Sequence, residues 1–256
     1  MTYDTKNNEK ELILPAINGV KAILSAAAKT SKVQRVVLTS SFASVIDLSR
    51  NAGPDFTYTG EMWNPLTYEQ AIAPETDAVM AYRGSKKFAE VEAWKFVERG
   101  KPSFDLVTFC PPMTFGLIAH PVESPEQLNE SNARLWDVAV GKPLPEARVP
   151  VWIDVRDLAK AHVEAVFSPK AGGKRYVPAA AEKYSYELAA SVMRKHFPQA
   201  KSQVVDVGDV QAPQGYDLDG KAVSEDLGVQ YRGFGTTVVE LIQGLEERGL
   251  SPWRTT

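Results

Sequence analysis

One cysteine, three histidines, no long apolar run and no excess of basic charge set the first limits on this chain of 256 residues. A lone Cys110 can form no intrachain disulfide. With His120, His162 and His196 scattered along the chain, a structural zinc site is not expected, and no other metal is implied. Lys and Arg number 29 against 32 Asp and Glu, a net charge of −3. No basic field is therefore available to hold a phosphate backbone, and nucleic acid is not an expected partner. No stretch of about 18 apolar residues is present to span a membrane. The polar segment from Thr2 to Lys10 is neither a signal peptide nor an Arg-rich transit peptide. These absences lead to the expectation of a soluble cytoplasmic protein. What is present is an ordinary globular mixture, 44% apolar and 24% charged, long enough for one sizeable core.

The apolar spacing lays out alternating elements. Ile13, Ile17, Val20, Leu24 and Ala27 recur at helical steps and predict a helix over Glu9–Lys29, with Pro15 and Gly19 marking a kink or a late start. The β-branched run from Arg35 to Ser40 reads as a strand buried on both faces, as in a parallel sheet. Residues 41–80 read as a long functional loop. A helix over Tyr82–Arg99 is expected to stop at Gly100, followed by a strand over Phe104–Cys110 that ends at Pro111. Further helices are expected at Glu126–Val140 after a Ser124-Pro125 start, at Asp154–Phe167 with Asp154 as cap, and at Ser185–Phe197. Thr237 to Glu240 fits a capping box opening a last helix that runs to about Arg248. Short strands are expected at Val149–Ile153, at Arg175 to Pro178 and at Gln203–Val207. The alternation of strand and helix predicts an α/β fold with a parallel sheet.

Two places can carry chemistry. Ser40 and Ser41 fall at the carboxyl end of the first strand, where ligands of open α/β sheets bind; their hydroxyls can serve a substrate oxygen or simply cap the turn. Tyr82 and Lys86 stand at i and i+4 near a helix start and share a face. An ammonium beside a phenol stabilises the phenolate and makes the phenol a usable proton donor or acceptor. The spacing alone is weak, because random placement yields roughly 0.6 such pairs in a chain of this composition. The stretch from Asp154 to Asp157 reads as a helix cap with an ion pair. Trp63 and Trp152 read as packing anchors, and Cys110 as a small buried hydrophobe.

In combination the features are more specific. Val36 to Ser41, Glu61-Met-Trp-Asn-Pro65, Tyr82-Arg-Gly-Ser-Lys-Lys-Phe-Ala-Glu90, Phe115-Gly116 and Ile153 to His162 together resemble the extended short-chain dehydrogenase/reductase family, within the NAD-dependent epimerase/dehydratase superfamily. The likeness is to its ketone and aldehyde reductases, which include dihydroflavonol reductases and fungal carbonyl reductases. The resemblance implies that Tyr82 protonates a carbonyl oxygen, that Lys86 eases proton loss from Tyr82 and bonds the nicotinamide ribose, and that Ser41 hydrogen-bonds the substrate oxygen. Thr39, Ser40, Pro111 and Met113 would join Tyr82 and Lys86 in bordering the cofactor, NADP rather than NAD, with a small carbonyl or alcohol as substrate. Residues 1–115 would belong to the NAD(P)-binding Rossmann domain, 149–182 would return to it, and 116–148 with 183–256 would form a smaller α/β region on the substrate side.

One family feature is missing. No set of glycines fits the turn that meets a dinucleotide pyrophosphate at a helix start; Gly233 and Gly235 stand near the end of the chain. The likeness begins at the helix that follows the family's fourth strand, so about two β-α-β steps, on the order of 80 residues, have no counterpart. The expectation is a Rossmann-type parallel sheet truncated at its N-terminal strands, with an exposed strand edge, weak cofactor binding and uncertain activity. The alternatives are a sugar-nucleotide epimerase or dehydratase of the same superfamily, and a non-catalytic remnant that binds a partner through the bared edge.

Overall fold

In a computed structural model, residues 5–147 and 149–253 are described. The centre is a parallel sheet of β1 (Arg35–Thr39), β3 (Asp105–Phe109) and β6 (Arg175–Tyr176) in the order β1-β3-β6. Val37 pairs with Val107 and Thr39 with Phe109, and Phe109 pairs with Tyr176 on its other side. Alternate side chains along β1 and β3 serve opposite faces. Val36, Leu38 and Leu106 pack with helices α1 (Leu14–Ala27) and α3 (Ala78–Gly100). Val37, Val107 and Phe109 pack with α5 (Val155–Phe167) and α7 (Gly220–Leu227). That two-sided burial is why neither strand alternates polar with apolar.

Two shorter parallel pairs extend the architecture. β4 (Met113–Phe115) lies beside β5 (Trp152–Asp154), and β2 (Thr57–Tyr58) beside β7 (Asp217–Leu218). A separate apolar core gathers Phe115, Leu135, Trp152, Tyr184, Phe234 and Leu241, from β4, β5, α4 (Glu130–Ala139), α8 (Phe234–Glu246) and the start of α6 (Tyr186–His196). Segment 60–63 passes so close to β6 that a Cβ on Gly60 would lie 1.8 Å from the Arg175 carbonyl oxygen. Only glycine fits there.

Several sequence expectations hold in detail. Asp154 caps α5 by accepting from the Arg156 amide (2.8 Å), and Ser185 caps α6 by accepting from the Leu188 amide (3.1 Å). The Pro15 effect is a wide π turn over Glu9–Ile13 ahead of α1; proline has no N–H for the carbonyl four residues back, so the ladder loosens there.

Others are corrected. Gly100 does not stop α3; it is the last helical residue, and Lys101 takes the left-handed conformation at φ 39°. The helix expected from Glu126 is a 3-10 turn at Pro125–Gln127, with α4 starting only at Glu130. Gln203–Val207 forms no strand: the Gln203 side chain donates to the carbonyls of Ala139 and Pro252, and the backbone follows a 3-10 turn over Pro198–Ser202. Thr237 opens no helix. It lies inside α8, fully buried, and its hydroxyl donates to Asp154 Oδ2 (2.7 Å). The segment read as one long loop holds β2, α2 (Tyr68–Ile72) and the first turn of α3. Its caps are local: Thr67 with Gln70 forms a capping box, and Asp77 accepts from the amides of Val79 and Met80.

Candidate active site

Where β1 and β3 end, the chain bends away from the sheet in both places, and a cavity of about 380 Å³ opens. Ser41 stands on one wall. It is the extended residue before the 3-10 turn Phe42–Ser44, and its oxygen accepts from the Ala43 amide (3.2 Å). An oxygen that accepts keeps its own proton to donate. The turn is pinned to the neighbouring strand end, since the Phe42 amide donates to the Pro111 carbonyl (2.9 Å) and the Ser40 amide to the Phe109 carbonyl (2.7 Å).

Tyr82 lines the same cavity from the second turn of α3, as do Pro111 and Met113 from the segment after β3. Lys86 follows one turn later on α3, with its ammonium 5.7 Å from the centroid of the Tyr82 ring. It makes no hydrogen bond or ion pair among the described residues. A half-buried cation without an anionic partner is poised for a polar ligand.

Ser41, Tyr82, Pro111 and Met113 thus share one wall system, with Lys86 beside it. Thr39 and Ser40 are turned elsewhere. The Thr39 hydroxyl meets His162 Nε2 (2.8 Å), and the Ser40 hydroxyl donates to Glu90 (2.6 Å). His162 Nδ1 faces the Leu158 carbonyl (2.8 Å), which can only accept, so Nδ1 carries the proton and Nε2 accepts from Thr39. Burial holds this imidazole below its ordinary range against the opposing pull of the Leu158 carbonyl.

The rest of the cavity comes from parts of the chain that sequence reasoning left unassigned. Asn129, Ser131 and Arg134 arrive from the start of α4, and Tyr184 with Tyr186 from the start of α6. The two tyrosine rings meet edge to face at 5.6 Å; burial pushes the Tyr184 hydroxyl upward, with Tyr186 reinforcing it, and keeps it protonated. Arg134 pairs with Glu130 one turn earlier (2.7 Å). Burial raises the Glu130 carboxyl, Arg134 pulls it down, and the net shift is downward. The cavity therefore has an aromatic interior and a charged, internally neutralised rim. A pair of tyrosines flanking the serine cap of α6 was the one local signal for this wall; nothing local signalled Arg134.

The residues from Asp154 to Asp157 are taken up by structure. Arg156 binds the Asp154 carboxylate, and Asp157 pairs with Arg232. Trp152 is fully buried against Phe234, and Trp63 stacks on the Arg175 guanidinium at 3.8 Å. Cys110 is fully buried, its thiol pushed up to about 12 by burial and by the nearby Glu90 carboxylate. Among the described residues no group of three His, Cys, Asp or Glu is placed to hold a metal, and no helix is long and apolar enough to cross a membrane.

No family model matches the chain. It is similar to the NADPH-dependent methylglyoxal reductase of Saccharomyces cerevisiae, 33% identical over 248 residues that cover 92% of this chain and 71% of the relative. A ketoreductase of Aspergillus niger is 34% identical over 96% of this chain and 72% of its own length. Among solved structures, Gre2 from Candida albicans superposes with a TM-score of 0.85 at 27% identity, over 97% of this chain and 76% of that one. With relatives above 30% identity across most of its length and a Rossmann-like fold that matches theirs, the chain belongs to the extended short-chain dehydrogenase/reductase family of oxidoreductases.

Proposed function

We propose that this chain reduces a ketone or aldehyde to the alcohol with NADPH. The observation that carries the reading is the convergence of Ser41, with an uncommitted hydroxyl proton, and Tyr82 on one cavity beside the unpaired Lys86. That residue set fits the nicotinamide-ribose end of the cofactor: Lys86 offers a cation to the ribose hydroxyls, and Pro111 and Met113 form an apolar wall for the ring. For the pyrophosphate the chain offers no glycine-rich turn. The cofactor, when bound, supplies a hydride to the carbonyl carbon. Ser41 donates a hydrogen bond to the carbonyl oxygen and Tyr82 passes its proton to the same oxygen, so negative charge never accumulates there. Lys86 stabilises the phenolate left on Tyr82, which regains a proton from solvent. The apolar walls of Phe42, Ile46 and Val149, with Tyr184 and Tyr186, favour a substrate with a hydrocarbon or aromatic body, and keep water from the reacting carbon. In this reading residues 116–148 and 183–256 form the substrate side, and 1–115 with 149–182 the cofactor side.

The test is NADPH oxidation with methylglyoxal and with an aryl ketone. Tyr82→Phe keeps the ring and deletes the proton donor, so turnover should fall about 10²–10⁴-fold while cofactor affinity is nearly unchanged. Equal turnover in the two proteins would end the assignment.

A further inference from the structure

Behind the cavity lies a carboxylate that the proposed reaction does not use. Glu90 is on α3, eight residues after Tyr82 and four after Lys86, and is 1% exposed. Its Oε1 accepts from the Thr108 hydroxyl (2.7 Å) and from Arg175 Nε (2.8 Å). Its Oε2 accepts from the Ser40 hydroxyl (2.6 Å) and lies 3.2 Å from Arg175 Nη2. The Ser44 hydroxyl is 2.6 Å from the same oxygen and 2.7 Å from the Ser41 carbonyl. One proton cannot serve both at once, and the charged oxygen is the stronger acceptor. Arg175, with 7% of its side chain exposed, continues outward to the carbonyls of Gly60 and Met62. Burial alone would raise the Glu90 carboxyl; Arg175 and the hydroxyls of Ser40 and Ser44 overcome it, and the group is held ionised.

The placement is asymmetric in a useful way. Two of the hydroxyl donors, Ser40 and Ser44, bracket Ser41 in the chain, while Thr108 comes from β3, next to its last residue. The acceptor rides on the helix that carries Tyr82 and Lys86. We infer that Glu90 is a positioning residue that sets the approach of the Ser41 hydroxyl to the Tyr82 phenol, by clamping the Ser40–Ser44 segment to α3. The inference rests on the roles proposed above for Ser41 and Tyr82. Its physical content is that a buried ionic hydrogen-bond network has few alternative geometries; the other ties on the 3-10 turn are its own amides, the Phe42 amide on the Pro111 carbonyl, and Asn64, whose backbone and side-chain amides donate to the carbonyls of Ser44 and Ala43, and none of these reaches α3.

Removing Glu90 itself would strand Arg175 and endanger folding, so the test deletes single hydroxyls around it. Ser44→Ala, Ser40→Ala and Thr108→Val each remove one donor to the same carboxylate. Ser44 is fully buried and cannot touch a ligand. A clamp on Ser41 predicts that Ser44→Ala and Ser40→Ala lower kcat roughly 10–100-fold, the scale of a misplaced reacting group, with KM for NADPH unchanged. Thr108→Val should leave kcat as it was. A second readout is independent of turnover: amide hydrogen exchange over Phe42–Ile46 should quicken in Ser44→Ala and stay as in the parent in Thr108→Val. Equal effects of Ser44→Ala and Thr108→Val in both readouts would reduce Glu90 to a general support of the fold and overturn the inference. A rise in KM for NADPH in Ser40→Ala with kcat intact would overturn it as well, in favour of direct cofactor contact. If the parent turns over no carbonyl while exchange still separates the variants, the reductase reading fails and the clamp stands.

Discussion

At the scale of single residues the decisive feature is what each polar side chain has already spent its hydrogen bonds on. Ser41 accepts and retains a proton to give, whereas Ser40 has given its proton to Glu90 and Thr39 gives to His162. Three neighbouring hydroxyls at one strand end thus have three different employments, although the sequence presents them as near equivalents. The Thr39–His162 contact leads to a prediction about pH. Because burial favours the neutral imidazole, the folded pKa lies below the ordinary value of about 6.5. The stability that His162 contributes is complete above about 6.5 and is lost as the pH falls through that value toward the depressed folded one. An NMR titration of the His162 ring protons should give a midpoint below about 6.5; a midpoint at or above it would contradict the buried, Nδ1-protonated state.

At the scale of elements the helix ends are where the reading of the sequence and the fold part company. The helical period identified α1, α3, α5 and α6, because each buries one face, and α3, α5 and α6 also carry a side-chain cap at the residue before them. The stop of α3 was misplaced by one residue: a glycine is available at 100, yet the left-handed conformation falls on Lys101. For an L-residue that conformation costs roughly 1–2 kcal/mol, and the exposed Lys101 side chain makes no hydrogen bond or ion pair among the described residues to offset it. Lys101→Gly should therefore raise stability by about 0.5–1 kcal/mol after the extra freedom of the unfolded chain is counted. In a protein of this size that corresponds to ~1–4 °C in melting temperature, readable by calorimetry, and a lowered melting temperature would refute it. The Thr237 error has a different origin. A threonine three residues before a glutamate looks like a capping box, but its hydroxyl is drawn to Asp154, 83 residues away, and the helix starts a turn earlier at Phe234.

At the scale of the whole molecule the outer strand of the central sheet is its exposed flank. β1 ends the order β1-β3-β6, and its Val36, Val37 and Leu38 are only half-buried. On the flanking helices Ile23 of α1 is 66% exposed and Phe167, the last residue of α5, 78% exposed, with Val163 and Val166 nearby in sequence. Free edges with apolar surroundings pair with other chains. The expected outcome is concentration-dependent association in solution. Replacing both Ile23 and Phe167 by Lys should suppress it, and should leave the melting transition within about 0.5 kcal/mol, the usual range for surface changes. Sedimentation at several concentrations measures this. Unchanged association in the double variant would place the contact elsewhere.

The sequence alone determined the fold class, the parallel pairing expected of two-sided apolar strands, and the nearness of Tyr82 to Lys86. Each of these depends on spacing within one element, where geometry is fixed by the helix or strand repeat. What only the tertiary structure decided is how segments far apart in the chain converge: Ser41 with Tyr82, the walls of Arg134 and Tyr184, and the Glu90 carboxylate with donors from 40, 44, 108 and 175. Glu90 in particular enters the sequence reading only as the last residue of the Tyr82-to-Glu90 stretch. It becomes the buried hub of a network because α3 packs there against β3 and the turn Phe42–Ser44, onto hydroxyls and a guanidinium that neutralise it, and no local pattern encodes that packing.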